Sequence, residues 1–375
     1  ALESVDFPKE MLYIESSAFE NSGLKHVTLP KKMIHHDRNG ENIFAETALE
    51  TVNIPKNFSL ETGMFADCHQ LKSVKLSCGQ SVSKNCFAGC ENAFFDCKKL
   101  TGIKLPKNLK RIASFAFQNT GLSSITFPEN LKGINKGAFS YTDLEEINIP
   151  DSIEFLDQGV FNGCVRLKKA HLSKRLTTIQ TDCFRECEEL CEITGIENIR
   201  TINCRAFSGC YSLKEFDFSN INSIGKSAFE CSGLEKTECS SRLMNLGKQA
   251  FAGCINLKRV DLSRCMDLGK IPEECFNDID NELDLRLPAK ALTFERRCLH
   301  GLKLDHLTIY PNSYLIEFAL YGVEAQTLEF LPVKDENCIQ TRLYTGRELA
   351  GTKVHELIVP DYMYDKYKEI WDKME

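Results

Sequence analysis

The sequence contains no apolar run approaching the length of a membrane span, and no basic n-region, apolar h-region or cleavage site of a secretory leader. Membrane insertion is therefore not expected of this chain. Basic charge is not in excess either: 46 Lys and Arg stand against 53 Asp and Glu, a formal net charge of −7. Binding to nucleic acid or to an anionic membrane surface needs a basic stripe, so no nucleic-acid partner is expected. There is a single tryptophan, Trp371. Catalytic grammar is missing too: no Gly-rich phosphate loop, no Gly-x-Ser-x-Gly elbow and no His-Glu-x-x-His pair occurs. The nonapeptide Asp pattern that holds calcium once per turn is also absent. These absences point away from an enzyme and toward no cofactor and no metal.

What is present begins with an ordinary globular balance, 42% apolar and 26% charged, which excludes wholesale disorder. The chain opens at Ala1 without an initiator Met and enters mid-pattern, as expected if an upstream segment has been removed.

A short internal period then decides the fold class. AFQNTGLSSITFPENLKGINKG, AFSYTDLEEINIPDSIEFLDQG and VFNGCVRLKKAHLSKRLTTIQTD align end to end. Phe anchors recur at Phe19, Phe44, Phe65, Phe87, Phe94, Phe117, Phe139, Phe161, Phe184, Phe207, Phe229, Phe251 and Phe276. Leu takes the same place at Leu299, Leu320 and Leu349. Within each unit, Leu122-x-x-Ile125-x-Phe127-Pro128 and its equivalents alternate as a short strand that Pro or Ser ends. The next Leu-x-x-Ile and the Ala-Phe segment are expected to close the coil through turns or short helical pieces. No coil buries its own apolar face, so neighbours must stack, each buried Phe contributing roughly 1.5–3 kcal/mol. The expectation is a right-handed leucine-rich-repeat solenoid of the α/β repeat class, with about 15 coils of 21–25 residues and short parallel strands. Two gaps break the period: Phe87 lies seven residues before Phe94, and 29 residues separate Leu320 from Leu349. The first reads as a truncated coil or a local insertion.

Eighteen cysteines need an explanation. Three residues after the anchor come Cys68, Cys90, Cys97, Cys164, Cys187, Cys210 and Cys254, where other coils have Ser22, Thr47, Thr120, Thr142 and Ser232. Cys goes with the longer loop to the next Leu, hydroxyls with the shorter one. Just before the anchor, Cys86, Cys183, Cys275 and Cys298 alternate with Ala, as small hydrophobes do. Cys239 takes a strand core position. Register does not account for Cys78, Cys191, Cys204, Cys231, Cys265 and Cys338, whose pairing is left open. A metal site at Cys183-x-x-x-Cys187-x-x-x-Cys191 is disfavoured, because two of the three occupy core columns. His35-His36-Asp37 is read as a solvated loop.

Between the core positions of each strand, side chains point outward in two files. Acidic and basic residues concentrate at His171, Glu192, Glu215, Asp217, Lys236, Glu238, Arg259 and Asp261. These are the candidate ligand-binding residues, a polar docking face with few aromatics for sugar stacking. The array is assigned to residues 1–360, with irregular coils near 31–43, 77–93 and 331–348 where specificity is expected. Residues 361–375 carry Tyr364, Tyr367, Ile370 and Trp371 at helical spacing and are expected to form a C-terminal capping helix.

The recurring unit, as in FADCHQLKSVKLS and FAGCINLKRVDLS, resembles the BspA-like leucine-rich-repeat family across essentially the whole chain. The ending IVP…YDKYKEIW is similar to the endings of such proteins in gut and oral bacteria. The resemblance implies a bacterial cell-surface or secreted protein that acts in adhesion or recognition. Its partner would be a host matrix protein or a bacterial surface protein, and the chain itself a monomer. An intracellular scaffold is the alternative, which a full complement of reduced thiols would favour.

Overall fold

In the computed structural model many repeat units yield two short strands, where one was expected. Described are residues 2–8, 11, 13–31, 40–55, 58, 60–76, 91–332, 347–361, 364–365 and 368–369. The chain divides into two compact units, Ala1–Asn198 and Ile199–Glu375. In the first unit, strands Glu146–Asn148, Lys169–His171 and Glu192–Thr194 pair in parallel, turn upon turn. The Leu-x-x-Ile segments make a second parallel file, Arg111–Ile112, Gly133–Ile134 and Phe155–Leu156. Lys236–Glu238, Arg259–Asp261 and Asp284–Arg286 repeat the first file in the second unit. Lys270–Ile271, Thr293–Phe294 and Tyr314–Leu315 repeat its second file.

The corner between the two files is the proline or serine that ends the first strand. The carbonyl of Pro150 accepts the N–H of Ile153 at 3.0 Å, and Pro128 accepts that of Leu131 at 2.9 Å. Proline gives up no hydrogen bond there, since its missing N–H falls where the first strand has stopped.

The Ala-Phe segment forms the third side of each turn, and it is neither strand nor helix. The residues two before and two after the anchor have positive φ: Phe115 and Asn119 (both 56°) around Phe117, Gly137 and Tyr141 (both 58°) around Phe139. Asp182 (57°) and Glu186 (58°) bracket Phe184 in the same way, as do Gln249 (58°) and Gly253 (68°) around Phe251. Each left-handed non-glycine residue costs roughly 1–2 kcal/mol. The gain is that three N–H groups per turn aim at the following turn. Phe115, Phe117 and Asn119 donate to the carbonyls of Lys136, Ala138 and Ser140 at 2.8, 2.9 and 2.8 Å. The short helical pieces expected here are absent among the described residues, because alternating handedness sends every second N–H to the next turn and leaves only isolated turns along the chain, such as Gln118 N–H to Phe115.

The anchors stack above that ladder. In the first unit Phe19, Phe44, Phe65, Phe94, Phe117, Phe139, Phe161 and Phe184 lie 5.4–6.0 Å apart, centroid to centroid, within 14° of parallel. In the second, Phe207, Phe229, Phe251 and Phe276 continue at 5.2–5.8 Å, and Leu299, Leu320 and Leu349 are buried in the same column. Between them the two units hold about 14 turns, against the roughly 15 coils expected.

Phe65 stacks directly on Phe94, and its N–H donates to Ala93 at 3.0 Å. The extra residues are thus an insertion within one turn, and the ladder passes it without a break. Leu320 likewise donates to Glu348 at 3.0 Å across the other long gap. Residues 32–39, 77–90 and 333–346 lie outside the described residues, and with them Phe87, His35, His36, Asp37, Cys78, Cys86, Cys90 and Cys338. Every described element is a strand, so the C-terminal helical cap is not supported. Of residues 361–375, only Asp361, Tyr364, Asp365, Lys368 and Glu369 are described, the last four with helical backbone too short to make an element. Tyr367, Ile370 and Trp371 fall outside.

The ring column sets a stability test. Phe139 touches Phe117 (5.4 Å), Phe161 (6.0 Å) and the edge of Phe127 (5.5 Å) and is fully buried. Phe139→Ala should lower unfolding stability by about 3–5 kcal/mol. Tyr211→Ala, at a site 59% exposed, should stay within about 0.5 kcal/mol. Urea unfolding followed by circular dichroism reads both.

Candidate recognition surface

Strands of this length bury their central residue and expose its two neighbours, so a parallel in-register array lays outward side chains in straight files. Like residues then fall beside like, and any run of one charge is self-repelling. The first unit resolves this by alternating sign. Glu146, Lys169 and Glu192 are neighbours in register, and Lys169 Nζ lies 3.2 Å from Glu192. That contact raises the Lys169 pKa above its ordinary value, through hydrogen bonding first and charge second. In the next file His171 Nδ1 meets the Thr194 hydroxyl at 2.9 Å. These residues line a shallow groove of about 420 Å³. Of the candidate residues, His171 and Glu192 belong here.

The other six come together in the second unit. Glu215, Asp217, Lys236, Glu238, Arg259 and Asp261 line one groove of about 470 Å³, with Arg264 at its edge. Lys236 sits 3.4 Å from Glu215. Arg259 reaches Asp261 at 3.4 Å and Asp284 at 3.7 Å, and Asp284 is held by Arg286 at 3.0 Å. Burial opposes ionisation of Asp261, but the N–H and hydroxyl of Ser263 and the Arg259 guanidinium outweigh it and keep the carboxylate below its usual range. Asp217 accepts the Ser219 N–H at 2.9 Å. Among the described residues no salt bridge reaches Asp217 or Glu238; Arg264 lines the same groove, and Arg286 feels the Glu238 charge from farther off.

Asp284 was missing from the expected set. Its signal was the alternation Leu283-Asp284-Leu285-Arg286, which puts it beside Arg259 as soon as the turns are in register. Glu215 and Asp217 are exposed but lie outside any assigned strand.

Repeat, register and anchor spacing all match one sequence family, the BspA type leucine rich repeat region, over residues 1–92, 91–214, 158–281 and 200–322. The chain belongs to the BspA-type leucine-rich-repeat family. A leucine-rich repeat protein from Bacteroides ovatus is similar at 23% identity, covering 69% of this chain and 78% of that one, with a TM-score of 0.51. The pneumococcal vaccine antigen PcpA aligns at 16% identity over 96% of this chain and 79% of its own, with a TM-score of 0.45. A leucine rich cell surface protein from Faecalibacterium prausnitzii aligns at 20% identity over 76% and 79%, with a TM-score of 0.39. Likeness at this level speaks to the fold alone. No curated protein matches the chain. Leucine-rich repeats of this kind mediate protein interactions and are typically non-catalytic. Among the described residues no helix is long and apolar enough to cross a membrane.

The thiols of this BspA-type chain are mostly core. All fourteen described cysteines are free, eleven of them buried. At the position three after the anchor, Thr142 bonds back to its own Phe139 carbonyl at 2.9 Å. Cys164, on the following turn, reaches back to that same carbonyl at 3.1 Å. Cys68 on the Phe44 carbonyl (3.1 Å) and Cys254 on that of Phe229 (3.0 Å) repeat the contact. The hydroxyl thus serves its own turn and the longer thiol serves the preceding one, which explains why the two alternate with loop length. Of the four unplaced cysteines described, Cys265 is buried against the Ser240 carbonyl at 3.3 Å, Cys204 is half-buried, and Cys191 and Cys231 are exposed. Cys183 and Cys187 are buried while Cys191 is exposed, so the Cys-x-x-x-Cys-x-x-x-Cys run forms no ligand cluster.

Burial pushes the thiol of Cys164 up to about 11 despite the Thr142 hydroxyl, and that of Cys254 up to about 12 despite Ser232. Cys265 rises to about 11 through burial and the nearby Asp261. An unfolded thiol ionises near pH 8.5, roughly. As pH rises the unfolded chain therefore loses these protons first. The stability that depends on neutral thiols is complete below that value and drains away as pH climbs through the folded values. The urea midpoint should fall between pH 8 and pH 10.5, and fall less in a Cys164→Ala, Cys254→Ala double variant.

Proposed function

We propose that this chain is a non-catalytic protein-recognition module of a bacterial cell-surface or secreted protein, acting in adhesion. The observation that carries the reading is the groove of the second unit, where no salt bridge reaches Asp217 or Glu238 while Glu215, Lys236, Arg259 and Asp261 are paired. A surface built that way has little charge of its own to satisfy and two fixed carboxylates to offer. The partner that fits is a protein segment presenting Lys or Arg. Family membership supports a surface location and a role in recognition.

The intracellular scaffold is the second reading, favoured by the fourteen free thiols. Oxidising exteriors normally convert such thiols to disulfides.

One experiment separates the readings. Intact source cells are treated with external protease, and the purified chain is then tested on immobilised collagen, immobilised fibronectin and whole bacteria. Adhesion predicts that the protein is digested on intact cells and that at least one of these surfaces binds it saturably. An Asp217→Asn, Glu238→Lys variant, which keeps the oxygen that accepts the Ser219 N–H, should bind at least tenfold more weakly with its fold intact. Full protection from protease would remove the surface reading, and unchanged binding by the variant would remove the groove.

A further inference from the structure

The residue two after each anchor is left-handed and turns its side chain outward. In consecutive turns of the first unit it is Glu46, Asp67, Asp96 and Asn119, at φ 55–56°. The ladder holds these positions one turn apart, through Glu46 N–H to Ala66 (2.9 Å), Asp67 N–H to Phe95 (2.7 Å) and Asp96 N–H to Gln118 (2.9 Å). A rigid backbone thus sets carboxylates side by side. His69, four after its anchor, leans over the same place.

The Asp96 carboxylate is tied down on one oxygen only. Oδ1 accepts a hydrogen bond from the Asn119 amide and lies 3.5 Å from Lys98 Nζ. Oδ2 is left facing His69 Nδ1 at 3.3 Å, with 13% of the Asp96 side chain exposed. Asp67 is different. Among the described residues no hydrogen bond or ion pair reaches its carboxylate. It is partly buried and lies beside the charge of Asp96. Lys98 approaches the Asp96 carboxylate on its Oδ1 side, which leaves Oδ2 and the donor-free Asp67 carboxylate facing His69.

We propose that Asp67, His69 and Asp96 form a binding site for one divalent first-row transition ion of the zinc class. Their ligand atoms lie within 4.8 Å of one another, the one such group of three among the described residues. In a tetrahedral zinc site, ligand bonds of about 2.0–2.1 Å put ligand atoms about 3.3 Å apart. The separation of His69 Nδ1 from Asp96 Oδ2 already has that value, 3.3 Å. The remaining edges close by rotation of the exposed His69 and the half-buried Asp67. An imidazole nitrogen with two carboxylates selects a borderline ion over calcium or magnesium, which prefer oxygen alone. Asn119 and Lys98 act as outer-sphere supports that fix which Asp96 oxygen is presented.

His69 Nδ1 also lies 3.0 Å from the Asp96 carbonyl. An open pocket of about 490 Å³, lined by Ser22, Glu46, Thr47, Asp67 and His69, supplies water to complete the coordination. The site lies in a different unit from the groove of the proposed function and does not depend on it.

The test uses the full chain carrying Cys191→Ser, Cys204→Ser and Cys231→Ser, so that the accessible described thiols do not compete. Cobalt(II) is titrated by visible absorption and zinc(II) by calorimetry near neutral pH. The expected result is one saturable equivalent whose spectrum shows nitrogen and oxygen ligation without thiolate charge transfer. Binding should weaken at least tenfold in His69→Ala and in Asp67→Asn. His26→Ala, which removes an exposed histidine elsewhere in the same unit, should bind as the parent does. Circular dichroism confirms that the variants fold, since neither His69 nor Asp67 supports the ring column. No saturable binding, a thiolate spectrum, or equal binding in His69→Ala each overturns the site.

Discussion

Everything in this fold depends on one backbone constraint: three N–H groups flanking each anchor must reach forward to the next turn. Left-handed residues on both sides of the anchor make that direction possible, at a cost that Gly163 and Gly209 avoid and that Asp182, Glu186 and Gln249 bear. The forward bonds set the spacing at which the Phe rings stack, and the residue just before the ring is buried beside them, most often Ala or Cys. The anchor carbonyl is left out of the forward set and is buried. A threonine hydroxyl or a cysteine thiol completes its hydrogen bonding. Ring, small neighbour and thiol are therefore one solution to a single problem of satisfying buried backbone.

The anchors, the first strand and its stop at proline were legible in the sequence because they are set by apolar period alone. So were the outward files: once Ile147 and Ala170 are core, Glu146, Asn148, Lys169 and His171 have nowhere else to point. The second strand was not legible. Leu-x-x-Ile segments such as Leu131–Ile134 are too short to show alternation, and only pairing with their neighbours makes them strands. Handedness was hidden for a different reason, since Phe115 and Tyr141 are not residues one reads as left-handed. Asp67, His69 and Asp96 escaped notice because the insertion before Phe94 obscured the register that brings them together.

The grooves and the thiols express the same lattice on opposite sides of the strand. Inward, identical columns are an advantage, because apolar groups and sulfur pack well against their own kind. Outward, identical columns of charge would repel. The surface therefore alternates sign, as at Glu146, Lys169 and Glu192, or pairs diagonally and along the strand, as at Arg259, Asp261 and Asp284. What distinguishes one member of such a family from another lies in the places where this cancellation is incomplete.

The forward ladder also gives the chain an arrow. Along the anchor side of each unit, donors face the later turn and acceptors the earlier one, so the two faces of that side are chemically unlike. A ribosome delivers the earlier turns first. Each completed turn then waits with its N–H groups open, and the carbonyls that close them arrive with the next two dozen or so residues. Zipping in the order of synthesis thus needs no rearrangement of what is already built. An insertion such as the one between Phe65 and Phe94 only lengthens the pause before the next carbonyls come.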